Sequence, residues 1–337
     1  MLLITGATGF IGRHLLKEFL SVPIPLIALY RSEAKKEETL AFLKQYKGLD
    51  NDPMDSIDWR KGTMNDWVSL EKAFEGVTHV VHTAAKVSLF PGKEDQIMAV
   101  NVEGTRQLID LALKNNIEWF GHISSIAALG ASKNHETLTD AELWGDEETF
   151  TAYGYSKYLA ELEVWRGIEE GLKCCFFNPG VVLGLGTEQS PLNQLLAQQN
   201  KKNVWLTKGS TGFVAVEDVV LAVRLAYLNE LNRGQFILVS ENWTYQELFR
   251  QFLNGSNRKY RLRWLSKSQL QFLYRLELFL SLLGRKRKLS LALIESLTEL
   301  RTYDGDNSVR EIPNFNYSNL KKRLKGYLNA NYPADYS

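Results

Sequence analysis

The first dozen residues restrict this chain more than any later stretch. Residues 2–12 read LLITGATGFIG: an apolar run enters a glycine turn, and the turn opens an amphipathic segment, IGRHLLKEFL. The pattern predicts a strand, a tight turn and a helix. Gly6, Gly9 and Gly12 follow G-x-x-G-x-x-G, a close variant of the dinucleotide-binding fingerprint. The first glycine permits the sharp turn, the second lets backbone approach a pyrophosphate, and the third lets helix and strand pack closely. The first N–H groups of such a helix have no partner within it and sit at the positive end of its dipole, so an anion is favoured there. Thr8, Phe10 and Ile11 lie inside the same turn and join the glycines as candidate cofactor contacts.

Further along, apolar runs alternate with helical patterns. Strands are expected at residues 25–30, 57–60, 77–83, 117–123 and 172–177, and helices at 66–74, 93–116 and 155–170, with a helical patch at 39–46. Such βαβα alternation argues for an α/β fold, a Rossmann-like doubly wound parallel sheet. Beyond Pro179 short strands mix with helices at 217–231, 245–253, 269–283, 289–300 and 319–328. The expected organisation is a dinucleotide-binding domain over 1–178, with 213–240 returning to it. A smaller, mostly helical C-terminal substrate lobe takes up most of 179–337.

Composition narrows the function classes. Lys plus Arg number 40 and Asp plus Glu 39 in 337 residues, a balance that gives no general reason to expect nucleic acid or an anionic membrane as a partner. Cys174 and Cys175 are adjacent in an apolar run. Neighbouring cysteines rarely pair, and two cannot hold a zinc ion, so buried thiols in a reducing compartment are expected and no metal site is. The chain opens directly on strand and turn and has no long apolar span, so a cytoplasmic protein is expected.

Three polar groups carry the chemistry. Tyr153 and Lys157 stand at i, i+4 in TAYGYSKYLAE and so share one helix face. A nearby ammonium stabilises a phenolate and makes the pair a usable proton donor and acceptor. Ser124 and Ser125 end a predicted strand, where ligands of doubly wound sheets bind and where a hydroxyl can polarise a carbonyl. Asn101, in AVNVEGT, is a polar residue in an apolar neighbourhood; it either holds a water or satisfies backbone groups.

Together these residues resemble the short-chain dehydrogenase/reductases, in particular their extended branch, the NAD-dependent epimerase/dehydratase family. TGATGFIG, Asn101, the serine after the fifth strand and the Tyr-x-x-x-Lys helix carry the resemblance, with HTAA at 82–85, NPGVVLG at 178–184 and FVAVEDVV at 213–220. The likeness runs over residues 2 to about 239. Within the branch, dihydroflavonol-reductase and 3β-hydroxysteroid-dehydrogenase-like proteins are nearest in pattern. The resemblance implies hydride transfer with Tyr153 as proton donor and Ser125, five residues before Gly130, holding the carbonyl oxygen. Lys157 would lower the tyrosine pKa and bind the nicotinamide ribose, and Asn101 would support a water-linked proton path. It also implies cofactor contacts at Thr83, Ala84, Ala85, Asn178, Pro179 and Val181, and a homodimer built on the helices that carry Asn101 and the Tyr–Lys pair.

Arg31 follows the second strand, where NAD-selective members place an acid; its charge favours the 2′-phosphate of NADP over NAD. Lys35 and Lys36 add to that field. The family's Gly-Asp pair at adenine reads Gly62-Thr63 here, which leaves Met64 as the residue to pack near the base. The expected activity is an NADP-dependent oxidoreductase acting on a carbonyl or secondary alcohol. A nucleotide-sugar epimerase is the alternative, and a non-catalytic dinucleotide sensor ranks below both, since Tyr153 and Lys157 are both kept. Dehydration is disfavoured because Ile126-Ala127, not an acidic pair, follows Ser125. Residues 265–283, LSKSQLQFLYRLELFLSLL, precede Arg285-Lys286-Arg287-Lys288. The segment reads first as a core or lid helix over a lipophilic small-molecule substrate, and only second as a membrane-surface helix.

Overall fold

The computed structural model of the chain describes residues 1–45, 55–88, 91–129, 137–139, 151–186, 203–253, 261–285 and 287–331. Gly130, Arg258, Lys286 and most of the loop expected after Ser125 lie outside the described residues. Strands β1 (Leu2–Thr5), β2 (Leu26–Tyr30), β3 (Ile57–Lys61), β4 (His79–His82), β5 (Trp119–Ile123) and β6 (Cys174–Pro179) follow one another along the chain. After them come β7 (Val181–Leu183), β8 (Asn203–Leu206), β9 (Ser210–Ala215), β10 (Arg233–Leu238), β11 (Glu241–Thr244) and β12 (Arg261–Trp264).

Among the described residues seven strands form one sheet in the order β10-β6-β5-β4-β1-β2-β3, every neighbouring pair parallel. The strands inside the sheet, such as β1 and β2, read as apolar runs because both faces are covered, whereas edge strand β3 is IDWRK and partly open. Leu2, Ile4, Leu26 and Ala28 enter one core layer; Leu3, Ile27 and Leu29 enter the other. Cys174 and Cys175 are unpaired and buried, one in each layer. From β1 the chain winds outward to β3 and then returns to start the second half at β4. The carboxyl ends of β1 and β4 therefore flank the switch point, where such sheets open a ligand crevice.

Helices α1 (Phe10–Phe19), α2 (Glu33–Lys44), α3 (Trp67–Ala73), α4 (Glu94–Met98), α5 (Gly104–Lys114) and α6 (Ala152–Glu169) cover the sheet. Asp66 caps α3, its side chain accepting from Val68 N at 3.2 Å. Helix α2 begins at Glu33, earlier than the patch at 39–46. Its first turns lack an apolar stripe and carry charge pairs instead, Lys35–Glu38 at 2.6 Å and Lys36–Glu33 at 3.9 Å, so a pattern of buried residues reveals only its second half. The single helix expected at 93–116 is interrupted by a π turn at Ala99–Glu103.

The C-terminal part adds small sheets that short strands made hard to foresee: β11-β9-β7, and the parallel pair β12-β8. Helix Val216–Leu228 packs on α1 within the first core layer, and β10 lies along β6. Helices Tyr245–Leu253, Lys267–Ser281, Leu291–Thr298, Asp306–Glu311 and Leu320–Asn331 complete this part. Of the two forms expected of the Leu/Phe-rich helix, core element or lid, the first does not hold. Leu270 is its one buried residue, and its outer face is apolar.

Candidate active site

The glycine turn is built by close backbone contacts. Gly6 ends β1 at φ +65°, and a Cβ there would lie 2.6 Å from Ala84 N and 2.7 Å from its Cα. The β1–α1 turn thus touches the segment that leaves β4. Gly9 N donates to Gly6 O at 2.8 Å. At Gly12 a Cβ would overlap the Gly6 carbonyl and come within 2.8 Å of Ala7 Cα. Helix bonding begins with Arg13 N to Gly9 O at 3.1 Å, so the N–H groups of Phe10, Ile11 and Gly12 have no carbonyl one turn back. A cradle closed to side chains and lined with such donors fits the pyrophosphate of a dinucleotide. Thr8, Thr83, Ala84 and the exposed Ala85 border it.

One neighbour of the cradle was missed at the sequence level. His14 lies one turn past Phe10, its ring 5.5 Å from the Phe10 ring. Its Nε2 donates to Leu185 O at 2.7 Å, and burial pushes its pKa down to about 4, so the ring is neutral. A Cβ at Gly186 would lie 2.6 Å from Phe10 Cδ2. The segment after β7 is thereby fastened over the start of α1.

Arg31 is exposed at the carboxyl end of β2. Its basic neighbours are engaged elsewhere: Lys35 pairs with Glu38, and the Lys36 ammonium lies 5.0 Å from the Tyr30 ring centroid. Met64 is buried in the second core layer, where a Cβ at Gly104 would meet its side chain at 3.0 Å. It is placed as a packing residue of α5.

The polar centre lies where β5 and β6 end under α6. Thr151 caps α6 by accepting from Gly154 N at 3.0 Å, which sets Tyr153 in the first turn. Ser125 Oγ accepts from Ala127 N at 3.1 Å and stands near enough to the Tyr153 phenol to act on its titration. Burial raises that phenol to about 12, and Ser125 acts against the rise. Lys157 is buried, and its Nζ donates to Ile123 O at 2.7 Å. Desolvation lowers it to about 8, with Glu161 opposing. The ammonium is therefore tied to the end of β5, and burial together with Ser125 sets the phenol's state.

Glu161 is a second residue missed at the sequence level. It extends the face of Tyr153 and Lys157 by one more turn, an i, i+4, i+8 series that the spacing could have revealed. It is buried, accepts from the Ser124 hydroxyl, and accepts from Asn178 Nδ2 at 2.6 Å. Burial raises its pKa to about 7, against the pull of Ser124, Asn178 and Lys157. The two serines are thus separated by their partners: Ser124 is held by Glu161, and Ser125 meets Tyr153.

Two asparagines act as braces. Asn101, in the π turn, accepts from Lys86 N at 2.7 Å and donates to Lys86 O at 3.1 Å and Ser156 Oγ at 2.9 Å. Of its two readings, water holder or satisfier of backbone, these bonds match the second. Asn178 also donates to Ser125 O at 3.0 Å and accepts from Gln235 Nε2 at 3.2 Å. Pro179 is buried at the end of β6, and Val181 packs at the edge of a separate apolar cluster.

A switch-point cradle beside a Ser–Tyr–Lys cluster defines a dinucleotide-binding α/β protein with acid–base groups at its crevice. Residues 2–238 match the family model described as the NAD dependent epimerase/dehydratase family. The chain belongs to that family, and so to the extended short-chain dehydrogenase/reductases. Tetraketide alpha-pyrone reductase 2 of Arabidopsis thaliana is 28% identical over 261 residues, covering 73% of this chain and 79% of that protein. Sterol demethylase protein B of Methylococcus capsulatus is 29% identical over 245 residues, covering 71% and 69%. Among solved structures, UDP-glucose 4-epimerase of Thermus thermophilus in complex with NAD aligns over 99% of both chains with a TM-score of 0.73 at 17% identity, a likeness of fold.

Proposed function

We propose that this protein is an NADP-dependent oxidoreductase that reduces a carbonyl of a lipophilic small molecule. The observation that carries the reading is that Ser125 and the Tyr153 phenol interact at the crevice, with Lys157 one helical turn on and tied to the end of β5. A nicotinamide dinucleotide, when bound, supplies the hydride. Gly6, Gly9, Gly12 and the N–H groups at the start of α1 hold its pyrophosphate, with Thr8, Thr83, Ala84 and Ala85 around it. Arg31 takes the 2′-phosphate. Ser125 donates to the substrate oxygen and polarises it. Tyr153, whose phenol is protonated at neutral pH, delivers the proton to that oxygen. Lys157 holds the ribose and adds positive charge near the developing tyrosinate.

Ile126 and Ala127 supply no acid or base next to Ser125, which speaks against dehydration. Relatives named as reductases of cinnamoyl-CoA and of a tetraketide pyrone support reduction over epimerisation. Epimerisation of a nucleotide sugar is the second reading, favoured by the fold shared with UDP-glucose 4-epimerase. We place the protein in the cytoplasm, in keeping with its two unpaired buried thiols, and as a homodimer through α5 and α6. The test is a panel of ketones, thioesters and nucleotide sugars with NADPH, followed at the nicotinamide absorbance. Oxidation of NADPH by a simple carbonyl, abolished in Tyr153→Phe, supports reduction. Conversion of a sugar nucleotide without net cofactor change supports the second reading.

A further inference from the structure

Helix Lys267–Ser281 presents the wrong side to water. Phe272, Leu276, Phe279 and Leu283 recur at i, i+4, i+7 and i+11, one stripe of the helical surface. They are 67%, 44%, 63% and 73% exposed, and Leu273 and Leu282 beside them are 39% and 82% exposed. The opposite face, with Leu270, Tyr274, Glu277 and Ser281, is the one turned to the protein, where the helix packs on Leu291–Thr298. Scattered exposed apolar residues are ordinary, but a contiguous stripe of this kind marks a contact with something apolar.

The flank of the stripe says what that something is. Gly284 stops the run at φ +83°, and the sequence continues Arg285-Lys286-Arg287-Lys288. Arg285, Arg287 and Lys288 are exposed, as is Arg275 on the helix itself. The acid in this part of the helix, Glu277, is turned to the main chain and accepts from Lys288 N at 2.8 Å and Leu289 N at 2.9 Å. Those bonds tie the main chain at Lys288 and Leu289 to the helix and leave the exposed Arg275, Arg285, Arg287 and Lys288 without this acid as a partner. A protein surface that matched this one would have to offer a broad apolar face edged with acid. An anionic bilayer offers both at once: acyl chains for the Phe and Leu side chains, and phosphates for the guanidinium and ammonium groups. Among the described residues no helix is long and apolar enough to cross a membrane, so the contact is in the plane of the surface.

We propose that helix Lys267–Ser281 and the basic segment after it dock this protein on an anionic lipid surface. This reverses the order of the two readings that the sequence alone favours, because the helix covers no core with that stripe. The docking rests on surface geometry and not on the assignment of the active site.

The test is co-sedimentation of the full chain with vesicles of phosphatidylcholine alone or mixed with phosphatidylglycerol. The expected result is binding to the anionic vesicles, weak binding to the neutral ones, and release by salt. Substituting Phe272→Ser with Phe279→Ser, or Arg285→Glu with Arg287→Glu, is expected to lower the partition coefficient at least about tenfold. All these side chains are already in water, so unchanged melting temperatures serve as the folding control. Absence of binding to anionic vesicles, or binding that survives both double variants, would overturn the proposal. So would a dimer in sizing chromatography that Phe272→Ser with Phe279→Ser dissolves, since a second copy would then be what covers the stripe.

Discussion

Lys157 donates to the main-chain carbonyl of Ile123 at 2.7 Å, and Ile123 closes β5 two residues before Ser125. This bond joins the helix that carries the phenol to the strand that carries the serine. It ties together the elements that carry the two groups proposed to meet a substrate oxygen. A lysine held in this way acts by position as well as by charge. Lys157→Met removes both, and turnover on an identified substrate is expected to fall at least about a hundredfold. The drop should appear in kcat and in nicotinamide affinity together if, as proposed, the same ammonium holds the ribose. Steady-state kinetics with a separate fluorescence titration of NADPH resolve the two effects.

Tyr153→Phe keeps the ring and removes the proton. The phenol is protonated up to about pH 12, so it is an acid ready for reduction and a poor base for oxidation. The variant should lose about two to four orders of magnitude in turnover with little change in melting temperature. A variant that kept near-native turnover would exclude Tyr153 as the donor.

Glu161 makes the protein sensitive to pH in a defined direction. Its folded pKa, about 7, stands above its ordinary value of 4.5. The folded chain therefore holds this proton more tightly than the unfolded chain does. The stabilisation from this group is complete below about pH 4.5 and is lost as pH rises through about 7, up to about 3 kcal/mol in all. Glu161→Gln keeps the acceptor for Ser124 and Asn178 and removes the charge, so the fall in urea midpoint between pH 5 and pH 8 should flatten. The carboxylate also holds the Lys157 pKa up. In the variant the alkaline limb of the kcat/KM profile should accordingly move to lower pH, a shift that loss of packing alone would not produce.

What could be read from the chain followed the range of the interactions involved. The glycine turn was legible because Gly6, Gly9 and Gly12 answer to backbone contacts within one turn, and Tyr153 and Lys157 because they share one helix. The inner strands were legible because both faces are buried. Spacing could place Glu161 on that same helix face but not give it a partner, because Ser124 reaches it from 37 positions away, and His14 was not legible, because its acceptor Leu185 is 171 positions distant. The sequence showed that residues 265–283 are rich in Leu and Phe, but the side that the rest of the protein covers is decided by packing. Arg31 remains a local reading, an exposed charge at the end of β2.

The glycines of the turn separate binding from folding. Gly12→Ala would push a methyl into the Gly6 carbonyl and Ala7 Cα. Neither is the end of a flexible side chain, so a loss of about 3 kcal/mol or more in stability is expected. Gly6→Ala adds a left-handed backbone at φ +65° to a contact with Ala84 backbone and should do at least as much harm. Gly9→Ala differs. Its φ of −79° suits any residue, and its Cβ would stand 3.0 Å from the Gly6 carbonyl, a tight fit but not an overlap. Gly9 is exposed, so the added methyl faces the space a pyrophosphate would take. Gly9→Ala is expected to melt within a few degrees of the native protein while losing at least about tenfold in NADPH affinity. A thermal melt and a fluorescence titration on the same sample measure both. Native affinity in a stable Gly9→Ala protein would mean that the dinucleotide does not lie over this turn.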